Sequence, residues 1–82
     1  MALRREHWRG RMRTLASKIQ LEFQIEGVGH CAVYEEELQP IWPLNEQDRE
    51  AKIAQFAKEY GFHLSFYKLG LCAIFVPTSF RL

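Results

Sequence analysis

With 82 residues, 48% of them hydrophobic and 26% charged, and a formal net charge of +1, the chain has the length and composition of one globular domain, spanning 1–82. Leu, Ile, Val and Phe supply 23 of the residues, which excludes disorder as the default. No apolar run approaches the roughly 18 residues of a transmembrane helix, and the basic start is not followed by the apolar stretch of a secretory signal.

Residues 1–17 read as a basic N-terminal helix or arm. Trp8, Met12 and Leu15 fall at i, i+4 and i+7, one helical stripe, with arginines on both sides of it. Gly10 within the stripe weakens the helix. Residues 18–35 read as a β-hairpin. Ile19, Leu21, Phe23 and Ile25 alternate without exception with Lys18, Gln20, Glu22, Gln24 and Glu26, the period of a strand with one buried face. Gly27-Val28-Gly29 turns the chain and residues 30–35 return antiparallel. Residues 36–44 are a connection holding Pro40-Ile41-Trp42-Pro43, where prolines prevent regular pairing. A helix is expected over 45–60. Asn45 is its cap, Asp48 and Lys52 form an i,i+4 pair, Ile53, Phe56, Ala57 and Tyr60 share a face, and Gly61 follows its C-terminus. Residues 61–77 form a second hairpin. Phe62, Leu64 and Phe66 alternate, Gly70 turns, and 71–76 is apolar on both faces, the mark of a central or doubly covered strand.

Two stretches align. Leu21, Phe23 and Gly27 match Leu64, Phe66 and Gly70, while Cys31-Ala32-Val33-Tyr34 matches Cys72-Ala73-Ile74-Phe75 after two residues are removed at the turn. The expected fold is therefore α+β, an αββαββ internal repeat forming a four-stranded antiparallel sheet with two helices packed on one face. Leu21, Phe23, Ile53, Phe56, Leu64 and Phe66 are expected to be buried together. His63, Ser65 and Tyr67 are expected on the opposite, uncovered face.

The residues point to little catalytic chemistry. The sequence has no P-loop, HExxH or nucleophile-elbow pattern. The one G-x-G lies in a turn with no helix after it, which argues against a dinucleotide site. Cys31, Cys72, His30 and His63 lack the spacing of a zinc site. Neither metal nor cofactor is expected. Two cysteines within apolar strands read as free, buried thiols of a reducing, cytoplasmic setting. The acidic run Glu35-Glu36-Glu37 reads as a solvated loop, with binding a cation or pairing with the arginines as alternatives.

Charge is uneven. Residues 1–18 carry six basic side chains against Glu6 alone, and the remainder is net acidic. Two functional readings follow. The first is a small non-catalytic protein-interaction or self-associating module, most simply a homodimer, with Tyr67, Ile74, Val76 and Trp42 as interface residues. Its core is small for an independent domain, and its last strand carries apolar residues on both faces. The second is a nucleic-acid-binding or regulatory protein acting through Arg4, Arg5, Arg9, Arg11, Arg13 and Trp8, since arginine contacts phosphates and an aromatic stacks on bases.

Overall fold

The computed structural model describes the backbone of residues 2–26 and 29–78 and the side chains of residues 9–24 and 29–78. The elements run α1 (Ala2–Glu26), β1 (Cys31–Tyr34), α2 (Glu35–Leu38), α3 (Arg49–Glu59), β2 (Phe62–Lys68) and β3 (Cys72–Pro77). The α+β class holds. The sheet, however, has three antiparallel strands in the order β1-β3-β2, and three helices accompany it. This corrects the expected four strands and two helices.

The largest correction lies in residues 18–26, which continue α1 instead of forming a strand. The hairpin over 18–35 is therefore not formed. Leu15, Ala16 and Ile19 are buried, and Met12 and Phe23 pack half-buried against the same core. Positions 12, 15, 16, 19 and 23 are one unbroken helical stripe. The alternation was ambiguous because Ile19 and Phe23 are four apart, a spacing that helix and strand share. Leu21 lies between them on the far side and is 53% exposed. Lys, Gln, Leu and Glu are strong helix formers, and a helix already nucleated upstream adds residues at little cost.

The repeat falls with the first hairpin. Leu21 and Phe23 are helical, whereas their counterparts Leu64 and Phe66 are in a strand. The two similar Cys-Ala segments belong to one sheet and pair antiparallel with each other, Cys31 opposite Phe75 and Tyr34 opposite Cys72. The second hairpin forms as expected, with β3 as the central strand and Gly70 turning at φ 83.

α3 starts at Arg49 instead of 45. Pro43 to Glu46 close a turn, the Glu46 N–H donating to the Pro43 carbonyl at 2.9 Å. The cap position passes from Asn45 to Asp48, which takes a left-handed conformation at φ 53 and makes no side-chain cap bond. Lys52 pairs with Glu46 instead of Asp48. The connection over 36–44 begins as the short helix α2.

All the helices contribute to a single core on one sheet face, where Ile53, Phe56 and Ala57 of α3 meet Val33, Phe62, Ala73 and Phe75. Phe56 is its hub, making edge contacts with Trp42, Phe62 and Phe75 at centroid distances of 5.2, 6.3 and 5.8 Å. Of the expected core, Ile53 and Phe56 are buried, Phe23 and Leu64 are half-buried, and Leu21 and Phe66 are exposed.

Candidate interaction surface

Phe66 is exposed because of one residue. Leu64 pairs with Phe75 and Phe66 pairs with Ile74, which leaves Ser65 as an extra residue in β2. A bulge of one residue transfers every later side chain to the other face. Leu64 therefore packs on the core, Phe66 leaves it at 45% exposure, and Tyr67 turns in towards the helices. Strict alternation had assigned Phe66 and Tyr67 the other way round.

The resulting outer face has three rows. Tyr34, Cys72 and Lys68 form one, Ala32, Ile74 and Phe66 the middle one, and Val76 with His63 the third. Tyr34 is 54% exposed, Ile74, Val76 and Ala32 are half-buried, and Cys72 is buried. Leu69 and Leu71 are exposed in the β2–β3 turn. The helices' buried side chains belong to the core on the opposite face, so among the described residues no helix covers this one.

The expected interface residues are thus divided. Ile74 and Val76 lie on the open face. Trp42 is buried at 3% exposure against Phe56, and Tyr67 is half-buried beside Arg49. Both side chains therefore lie on the core side of the sheet, not on its open face.

Arg49, Glu35 and Tyr67 form a buried polar cluster beneath the other face. Arg49 grips Glu35 with two parallel bonds, Nη2 to Oε1 at 2.8 Å and Nη1 to Oε2 at 2.9 Å. Its Nε donates to the Trp42 carbonyl and its Nη1 to the Tyr67 hydroxyl, both at 2.9 Å. Glu35 Oε2 also accepts the Gly70 N–H at 2.9 Å, and the Glu35 N–H donates to the Leu71 carbonyl at 3.2 Å. The guanidinium beside it, helped by the Gly70 N–H, holds the Glu35 carboxyl below its usual range against the opposing effect of burial. The first member of the acidic run is therefore buried, not solvated. One local signal marked Arg49, since a cation in the first turn of a helix opposes the macrodipole unless an anion meets it. Nothing local marked Glu35 as that anion.

On α1, Arg9, Arg11 and Arg13 are exposed. Arg4, Arg5 and Trp8 lie outside the residues with described side chains. Lys18 bonds Glu37 at 2.7 Å, so one cation of the basic segment is already turned to the acidic run. Arg11 borders a groove of about 590 Å³ between α1 and α2, floored by Leu15, Pro40 and Ile41.

Both cysteines are free and buried. Burial first, then the charges of Glu22 and Glu37, pushes the Cys31 thiol up, away from the reactive thiolate. Among the described residues no group of three His, Cys, Asp or Glu side chains is arranged for a metal ion, and no helix is long and apolar enough to cross a membrane. Compared with known proteins, the chain matches no protein family, and no curated protein or solved structure resembles it significantly.

Proposed function

We propose that the chain is a small non-catalytic interaction module whose binding surface is the open face of its sheet. One observation carries this reading. The face opposite the helices bears Tyr34, Phe66, Ile74 and Val76 as a contiguous apolar and aromatic surface that the described fold leaves uncovered. Antiparallel sheets tolerate water on one side when that side is polar. An apolar one marks a contact site. The buried ionisable groups support a structural role for the interior, since Glu35 and Arg49 are fully engaged with each other and with neighbouring backbone. Free buried thiols fit a reducing compartment such as the cytoplasm.

The test compares fluorescently labelled wild type with a Phe66→Lys/Ile74→Lys variant of matching circular dichroism, by sedimentation velocity of purified chain and of chain added to cell extract. Wild type should sediment faster than a 9.7 kDa monomer in at least one setting, and the variant as a monomer in both. A monomer in both settings for both proteins would overturn the reading.

The exposure of Arg9, Arg11 and Arg13 supports a second reading, contact of α1 with nucleic-acid phosphates.

A further inference from the structure

Building on the proposed interaction surface, we infer that its occupant is a second copy of this chain, related by a two-fold axis that runs along β3 between two sheets packed face to face. The middle row of this face is Ala32, Ile74 and Phe66. It grades from small on β1 to large on β2. With the strands of the two sheets aligned, two self-stackings are available to this face. A two-fold across the strands sets Phe66 on the partner's Phe66 and Ala32 on the partner's Ala32, a collision beside a void. A two-fold along the strands sets each Phe66 over the partner's Ala32, with Ile74 meeting its own copy on the axis. Only the second fills space at the density of a protein interior.

Charge selects the same axis. Lys68 carries the formal charge of this face, and it lies on β2. An axis across the strands exchanges the two outer rows and lays Lys68 over the partner's His63, leaving its charge without a tyrosine ring to rest on. An axis along β3 lays β2 over the partner's β1, which has no charged residue. Lys68 then comes to the partner's Tyr34, whose ring can receive both its stem and its charge.

Size sets the affinity. Three strands at about 4.8 Å spacing and some six residues in length make a small face. Tyr34 and Phe66, at 54% and 45% exposure, each have about 100 Å² to contribute, taking the range for buried aromatics. The interface falls at the low end of the specific range, below about 1,200 Å² in total. The dimer is accordingly weak and concentration-dependent, with two sheets about 10 Å apart and their strands aligned within about 30°.

The experiment measures the mass of the purified full chain by light scattering from about 10 to 500 µM. Wild type should climb from 9.7 kDa towards twice that mass, and Ile74→Lys should stay at the monomer value. Ala32→Phe and Phe66→Ala should each weaken association at least about tenfold. Combined in one chain, they should restore it to within a few-fold of wild type, because the enlarged residue then meets the vacated one. Circular dichroism checks that each variant folds. Should Ala32→Phe fail to fold, isotope-filtered NMR on a mixed labelled and unlabelled wild-type sample replaces it, and contacts from the Ala32 methyl to the partner's Phe66 ring are expected. A double variant no better than its parents, or filtered spectra without that contact, overturns the axis. A wild type that is monomeric when pure yet sediments faster in extract overturns the second copy and leaves the interaction module standing. A monomer in both settings removes both.

Discussion

Arg49 and Glu35 each tie together parts of the chain distant in sequence. Arg49 joins the first turn of α3 to the Trp42 carbonyl and to β2, while Glu35 joins the end of β1 to the β2–β3 turn. Their side chains are 4% and 10% exposed, so removing one partner strands a buried charge. Arg49→Met and Glu35→Met should therefore each lower unfolding free energy by about 3–5 kcal/mol. Glu35→Met/Arg49→Met should cost less than the sum, because no charge is left unpaired, and chemical denaturation of the four proteins reads the difference. The sign of the pH dependence follows from the lowered Glu35 carboxyl. Its folded form releases its proton at lower pH than the unfolded chain, whose glutamate titrates near about 4.3. The stabilisation is complete above that value and is lost as pH falls through the lower folded one. Melting temperature should drop between about pH 5 and 3, and Glu35→Gln should show a shallower fall than wild type, which thermal scans would reveal.

At the scale of elements, how far the residues disclosed the fold depended on whether a signal was local. The β2–β3 hairpin was legible from Phe62, Leu64 and Gly70, and α3 from Ile53, Phe56 and Ala57, because each follows from neighbours in the chain. The fate of 18–26 did not, since Ile19 and Phe23 satisfy both periods and the choice rests on whether α1 continues through Ala16 and Ser17. Ser65 shows the same limit more sharply. A bulge leaves no signature in the residue itself, yet it moves Phe66 out of the core and Tyr67 into it. The places of Ile74 and Val76 follow from the apolar run over 71–76, whereas those of Trp42 and Tyr67 depend on Phe56 and Arg49, distant in the chain. Removing the two rings separates the structure from the strict-alternation expectation. Phe75→Ala, in the core at 0% exposure, should cost about 3–5 kcal/mol. Phe66→Ala, measured at micromolar concentration where the chain is monomeric, should cost less than about 1 kcal/mol. Equal losses in urea titrations would put Phe66 back in the core.

For the whole molecule, the uneven charge and the uneven sheet make competing demands. The first 18 residues concentrate the basic side chains, and a reader of charge alone turns to nucleic acid. Among the described residues the sheet leaves one apolar face open, and burial alone points to a protein partner. Ionic strength separates them. Phosphate contacts release condensed counterions, so the logarithm of affinity falls with the logarithm of salt by about 0.9 for each phosphate neutralised on a duplex. Were Arg9, Arg11 and Arg13 the working groups, raising salt from 50 to 500 mM would cost more than about a hundredfold in affinity by that slope. The face around Ile74 has no charge pair to screen, and Lys68 meets an aromatic ring at its rim. Dimer dissociation constants measured by sedimentation equilibrium over the same range should change by less than about threefold, and towards tighter binding when sulfate replaces chloride, since excluded salts strengthen apolar burial. A steep weakening of the dimer with added chloride would show that the charged helix holds the copies together, and attention would then pass from the sheet to the Lys18–Glu37 side of α1.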